Sequence, residues 1–154
     1  MENETVIGYI DNLVSFGIIT PKRRSLILTD KRMLIVDVES ISTTATSAGF
    51  AYVFGVFGRS MANKISKDDI VETTKKLSQA NLDEILKSNP DNVGLDNANI
   101  EQVEISRKQI LIKTGQRLIK YSLANPDVKN SKSNIYEEYV VTLQKALGNK
   151  ILAK

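Results

Sequence analysis

The C-terminal part of the chain carries the strongest periodic signal in the sequence, an apolar stripe with helical spacing. Asn134 and Glu137 have the spacing of a capping box, and Gly148 is suited to end a helix. The stripe between them consists of Ile135, Tyr136, Tyr139, Val140, Leu143, Ala146 and Leu147. Because such a stripe must be buried against another layer, the helix at about 134–147 predicts a fold that offers it an apolar surface.

Short strands are predicted to supply that surface. Asp11-Asn12 and Asp30-Lys31 are polar two-residue breaks between apolar runs, which indicates antiparallel connections. The segment 20–24 is interpreted as a polar, proline-containing loop. The predicted strands are 5–10, 13–19, 25–29, 32–38, 99–106, 109–113 and 118–122. Together they form a small antiparallel sheet with an apolar interior.

The middle of the chain, at about 40–97, differs from both flanks. It begins with a stretch free of charge, from Ser40 to Gly58. Further on, capping-box spacings at Ser66 and Asp69 and at Asn81 and Glu84 predict helices over 68–77 and 82–87. Residues 89–97 are interpreted as a loop. The sequence therefore predicts a largely helical insertion here.

Several function classes are excluded by composition. The chain of 154 residues has no cysteine and no histidine, so thiol nucleophiles, imidazole bases and Cys/His zinc sites are absent. Adjacent carboxylates occur only in the first turns of predicted helices, where the helix dipole explains them: Asp68-Asp69, Asp83-Glu84 and Glu137-Glu138. We therefore expect no enzyme, no cofactor and no metal site.

The charge pattern and the N-terminal sequence bear on partners and location. Lys and Arg number 21 against 18 Asp and Glu, and the cations are dispersed among the acids, so nucleic acid is not an expected partner. The sequence MENETVIGYI has no basic region followed by a long apolar stretch, and no run reaches the roughly 18–20 apolar residues of a membrane span. The expected location is cytoplasmic, either free or associated with a membrane surface.

The segment LILTDKRMLIV, from Leu26 to Val36, resembles the strand–turn–strand of short microbial domains of the pleckstrin-homology-like (PH-like) and GRAM-like type. The segments IEQVEI (100–105), ILIKTGQRLIKYSL (110–123) and IYEEYVVTLQKAL (135–147) look like the second half of such a domain. The resemblance implies an α+β fold: a seven-stranded, partly open antiparallel barrel capped by the C-terminal amphipathic helix. The barrel halves would lie at about 4–38 and 98–124, on either side of the largely helical insertion at about 40–97.

The same resemblance implies a non-catalytic binding or adaptor module. Its partner would be another protein, a second copy of the chain, or a membrane surface. In PH domains that bind phosphoinositides, basic residues in and beside an early loop hold the headgroup. An alternative function is therefore recognition of anionic lipid headgroups through Lys22, Arg23 and Arg24, although a solvated polar loop also explains these residues. Three cations contribute about 3 kcal/mol at an anionic leaflet, which assists membrane attachment without securing it.

A second candidate contact lies within the insertion. If 47–61 is a helix, Phe50, Phe54, Phe57 and Met61 share one stripe. Three exposed phenylalanines would forfeit about 5–9 kcal/mol of burial, so the stripe must be covered. Two interpretations stay open: an insertion helix buried in the core, or a contact with a partner or membrane that a second copy of the chain covers in part.

Overall fold

The computed structural model describes residues 4–16, 21–37, 79–124, 128, 130 and 132–154. Two α-helices lie in this part of the chain, α1 (Gln79–Ser88) and α2 (Ile135–Leu147). Its strands are β1 (Val6–Phe16), β2 (Pro21–Thr29), β3 (Arg32–Asp37), β4 (Val93–Asp96), β5 (Ile100–Ile105), β6 (Gln109–Thr114), β7 (Leu118–Leu123) and β8 (Ile151–Ala153). Short 3₁₀ turns, Asn97–Asn99 and Gly148–Lys150, lead from β4 into β5 and from α2 into β8.

The strands form one open sheet in the order β4-β3-β2-β1-β7-β6-β5-β8. Strands β1 to β4 pair successively and antiparallel, and so do β5 to β7. The two halves are joined through β1 and β7, where Leu13 pairs with Leu123 and Val14 with Ser122. Strand β8 adds to β5 in parallel. The prediction of a mixed α+β fold with a C-terminal helix is confirmed.

Strand β1 replaces two predicted strands. The prediction of a turn at Asp11-Asn12 is wrong, because the chain runs through this point as one strand with a shift of register between Ile10 and Leu13. A second shift lies between Val6 and Gly8. Each shift places one extra residue on β1, which is the definition of a β-bulge, and bulges bend the strand that carries them.

Two predicted loops are also wrong. Residues 21–24 belong to β2, since Pro21 pairs with Phe16 and Arg24 with Leu13. Residues 93–96 form β4, which pairs with β3 between Arg32–Asp96 and Ile35–Val93. Both segments are polar or short, so they have little strand character of their own. They become strands because a neighbouring strand offers its free backbone groups.

Helix α2 covers one face of the sheet. Its residues Tyr139, Leu143 and Leu147 are buried in the core. The approach to β1 is close, since a Cβ atom on Gly8 would lie 2.6 Å from Thr142 Cγ2. The sheet contributes Ile10, Leu13, Leu26, Leu28, Met33, Ile35, Ile100, Val103, Ile105, Ile110, Ile112, Tyr121 and Leu123 to this core.

The ends of α2 agree only partly with the sequence interpretation. Gly148 ends the helix with a φ of 62°, a conformation that favours glycine, as predicted. The capping box is not formed, because the Asn134 side chain makes no capping hydrogen bond. Glu137 instead forms an ion pair with Arg107 Nη2 at 3.1 Å. The Arg107 guanidinium also lies over the Tyr136 ring, 4.7 Å from its centroid.

Helix α1 lies on the opposite face of the sheet. Leu82 and Ile85 are fully buried, together with Ile27, Leu34 and Val36, which point away from the α2 side of β2 and β3. Strands buried on both faces have continuous rather than alternating apolar runs, which explains the sequences LIL and MLIV. Asn81 was predicted to precede this helix and lies within it. The rest of the predicted insertion, including the helix at 68–77, lies outside the described residues.

Candidate functional site

Lys22, Arg23 and Arg24 lie in strand β2 and not in a loop. Because successive side chains of a strand point to opposite faces, the first and third lie on the α2 side of the sheet and Arg23 lies on the other. Residues Leu26 and Leu28, which continue the α2-side row, are part of the core. The structure therefore brings together two of the three predicted site residues and separates the third.

Asp91 occupies the space between Lys22 and Arg24. Lys22 Nζ lies 3.1 Å from Asp91 Oδ2, and Arg24 Nη1 donates to the Asp91 backbone carbonyl at 3.2 Å. The Asp91 N–H in turn donates to Asn89 Oδ1 at 2.8 Å, which fixes the turn after α1. Both charged groups of the Lys22–Asp91 pair are about half exposed, so solvent screens the attraction and the pair contributes little to stability.

Arg24 is the buried member of this cluster, with only 8% of its surface exposed. Its Nε atom has no hydrogen-bond partner in the part of the chain that the structure describes. Burial raises the pKa of the nearby Tyr121 hydroxyl, and the positive charges of Arg24 and Arg117 offset only part of that rise. Arg24 is thus a buried cation that contacts the Asp91 carbonyl and has one N–H group without a partner among the described residues.

The turn between β2 and β3 is a structural network. The Thr29 hydroxyl lies 2.7 Å from Glu4 Oε1 and accepts the N–H groups of Lys31 and Arg32. Arg32 Nε donates to both oxygens of Glu4, at 2.9 and 3.2 Å, and its Nη2 contacts Asp83 Oδ1 at 2.6 Å. The Glu4 side chain is 1% exposed, so Arg32 neutralises a buried carboxylate.

This network involves Thr29, Lys31 and Arg32 of the turn together with Glu4 and Asp83. Burial alone would lower the pKa of Arg32, but the hydrogen bonds to Glu4 and Asp83 outweigh it and raise the pKa. Asp83 belongs to α1, so the same guanidinium also ties that helix to the sheet. The sequence did not identify Glu4 or Asp83 as partners of Arg32, because neither carboxylate belongs to a distinctive pattern. The prediction that Asp83 lies in a first helical turn is wrong, since α1 begins at Gln79 and its first turn holds no acidic residue.

The other side of the sheet presents leucines and lysines to solvent. Leu118 is 57% exposed and Leu152 is 40% exposed. In register they share the outer side of β5 to β8 with half-buried Leu111. Glu104 on this side accepts hydrogen bonds from Lys113 Nζ at 3.1 Å and Lys154 Nζ at 3.2 Å. We call this surface the leucine–lysine face; it comprises Glu104, Leu111, Lys113, Leu118, Lys120, Leu152 and Lys154.

Arg23 extends this face across the junction of the two half-sheets. It pairs with Val14, which pairs with Ser122 on β7, so all three lie on the outer side. Arg23 and Lys120 are both exposed, and neither side chain forms a hydrogen bond or ion pair with the residues that the structure describes. The face then carries four cations and one carboxylate, a net charge of 4 − 1 = +3. These four cations are dispersed along the chain, so no local pattern in the sequence indicates that they share one face.

A polar cleft lies between the edge of β4 and the turn joining β6 to β7. Its volume is about 790 Å³, and Asp96, Glu101 and Arg117 are its charged lining residues. All three are exposed, so the cleft is a solvated groove.

Three remaining features are the second candidate contact, metal-binding clusters and membrane-spanning helices. Phe50, Phe54, Phe57 and Met61 lie outside the described residues. Between residues 4 and 154, as far as they are described, no three carboxylate side chains are grouped to hold a metal ion. No described helix is both long and apolar enough to cross a bilayer.

Comparison with known proteins identifies no relative. No protein-family model, curated protein or solved structure matches the chain.

Proposed function

We propose that the chain is a PH-like domain that acts as a non-catalytic binding module. The fold part of this proposal is supported by the strand order, in which two antiparallel half-sheets meet at β1 and β7. It is also supported by the two bulges of β1, which bend the sheet, and by α2, which packs across the bend at Gly8. A bulged sheet of two half-sheets with a helix on one face is compatible with a partly open barrel that a helix plugs.

The leucine–lysine face carries the functional part of the proposal. Isolated exposed apolar residues are ordinary, but Leu118 and Leu152 lie on one sheet face with Leu111, which is in the same cross-strand row as Leu152 and diagonal to Leu118. Burying one leucine side chain contributes about 1.5–3 kcal/mol, so a protein that covers this face gains affinity. The proposed function is docking on a protein partner, either a second copy of the chain or another protein.

Site-specific photo-crosslinking tests this function in the cells that make the protein. A photoreactive amino acid at position 118 should form a covalent adduct, whereas the same group at the exposed position 145 on the outer side of α2 should form none. The captured partner is identified by mass spectrometry, and its binding to the chain is rebuilt from purified proteins, where Leu118→Asp should abolish binding. If position 118 yields no more adduct than position 145, the docking function is wrong.

A second candidate function is recognition of anionic lipid headgroups at Lys22 and Arg24. The observation in its favour is the buried, incompletely paired Arg24 guanidinium beside Lys22. Asp91 opposes it, because its carboxylate and carbonyl already occupy both cations. A headgroup phosphate would have to displace that carboxylate.

Vesicle cosedimentation distinguishes this candidate. Asp91→Asn removes the competing charge, so binding to phosphoinositide-containing vesicles should increase relative to the unaltered chain. Lys22→Ser in the same background should reverse the increase, and Asp96→Asn, which removes an exposed carboxylate elsewhere, should have no effect. Equal binding by all variants would eliminate the headgroup function.

A further inference from the structure

We infer that the partner of the leucine–lysine face is an acidic protein segment that carries apolar residues of its own. This inference rests on the proposed docking function and adds the chemistry of the partner. Its basis is the arrangement of charges around the exposed leucines, which follows from the register of β5 to β8 and from the position of Arg23 on β2.

The register places cations and leucines in an interleaved pattern. Lys120, Leu111, Glu104 and Leu152 are successive cross-strand neighbours, and Leu118 and Lys113 form the adjacent row. Neighbouring strands are about 4.8 Å apart, so the first row extends over roughly 14 Å. A partner that covers this row meets a cation, two leucines and one carboxylate whose charge is already matched.

The cations differ in how much charge they leave for a partner. Lys113 and Lys154 share Glu104, and their hydrogen bonds lower the pKa of that carboxyl, so it stays ionised. The two lysines and the one carboxylate together leave a net charge of +1. Lys120 and Arg23 add two more, and the described part of the chain supplies no counter-charge to either. The face thus offers three uncompensated positive charges beside three leucines.

An acidic protein segment fits this combination better than the other polyanions. Single-stranded nucleic acid is bound through stacking aromatic side chains among cations, and the outer side of β6 and β7 carries leucine, lysine, serine and glutamine only. Three cations attract an anionic leaflet by about 3 kcal/mol, which does not give stable attachment. A segment with carboxylates and leucines pairs with the charges and also buries Leu111, Leu118 and Leu152.

Fluorescence anisotropy with a defined peptide tests the inference on the full chain. The probe is a labelled twelve-residue peptide of alternating Glu and Leu, and the control peptide has Lys in place of every Glu. The acidic probe should bind, the basic one should not, and the affinity should fall as salt is added, because exposed charges are screened. Lys120→Glu should weaken binding about five- to tenfold, since it turns an attraction into a repulsion.

Matched variants separate this inference from the proposed function. Lys145→Glu changes the net charge equally on an exposed position of α2 and should leave the affinity unaltered. Leu118→Ser should weaken binding to the acidic probe and also weaken binding of the purified partner that the crosslink identifies. If the crosslinked partner is lost with Leu118→Ser but binds Lys120→Glu normally, docking stands and the acidic partner is wrong. Binding of anionic vesicles without binding of the acidic peptide, or equal binding of both peptides, would also overturn the inference.

Discussion

The contact between Gly8 of β1 and Thr142 of α2 gives the sharpest test of how the helix is seated on the sheet. A Cβ atom added at Gly8 would lie 2.6 Å from Thr142 Cγ2, well inside van der Waals contact. Either the helix or the strand must then shift. Overpacking of this kind lowers the free energy of unfolding by about 1–3 kcal/mol. Replacing glycine by alanine also lowers the entropy of the unfolded chain, which raises the free energy of unfolding by about 0.4–1 kcal/mol. Gly8→Ala should therefore lower the free energy of unfolding by about 1–2 kcal/mol.

Removing the one methyl group that clashes should reverse the effect. Thr142→Ser deletes Cγ2 and keeps the hydroxyl that donates to the Glu138 carbonyl at 2.8 Å. The Thr142 atoms that remain, Cβ and Oγ1, would be 3.8 Å from the new methyl group, an ordinary contact. In the Thr142→Ser background, Gly8→Ala should thus be neutral or stabilising.

Equilibrium urea unfolding of the four chains in this double-mutant cycle measures the coupling directly. Gly115→Ala is the matched control, because its Cβ would meet only Glu101 Oε1 at 3.6 Å, and it should change stability little. The packing of α2 against β1 described above would be refuted if Gly8→Ala destabilised both backgrounds equally, or if it stabilised the chain with Thr142 intact.

Three further predictions concern charged and titrating groups. Arg32→Met leaves the buried Glu4 carboxylate without its partner and should lower the free energy of unfolding in urea by about 3–5 kcal/mol, whereas Lys22→Met, which breaks a half-exposed pair, should lower it by less than about 1 kcal/mol. Equal losses would contradict the assignment of Arg32 to a buried network. The pKa of Glu104 lies below its ordinary value of 4.5, so its contribution to stability is present above that value and is lost as pH falls through the lower folded-state pKa. A carboxyl NMR titration should show that the pKa of Glu104 rises in Lys113→Met and is unchanged in Lys87→Met. Burial raises the pKa of Tyr121 above 10.0, so the stability it contributes is complete below pH 10.0 and is lost as pH rises through the folded-state pKa. Ultraviolet titration should show a late-ionising tyrosine signal that is lost in Tyr121→Phe.

Local patterns in the sequence predict the elements whose signal lies within the element itself. The apolar stripe of 135–147 predicts α2 because helical spacing alone selects its buried side, and Tyr139, Leu143 and Leu147 are in the core. The turn at Asp30-Lys31 is predicted because two dense apolar runs flank it, and β2 and β3 pair directly across it.

The candidate sites could be predicted only in part. The sequence identified Lys22, Arg23 and Arg24 as a cationic group but placed them in a loop, where all three could face one ligand. Strand pairing decides otherwise, because alternation sends Arg23 to the outer side and leaves the other two facing Asp91, more than sixty residues away along the chain. No local pattern connects residues at that separation.

The sequence by itself determined that this is an α+β chain with a C-terminal helix, a hairpin at 26–36, and no thiol or imidazole chemistry, since these follow from residue types and short-range periodicity. The tertiary structure alone decided which surfaces are available for binding. Strand β4 exists because β3 offers an edge, and the leucine–lysine face exists because register aligns side chains from four strands. Such surfaces depend on backbone hydrogen bonds between distant segments, and those bonds are the same whatever the side chains are.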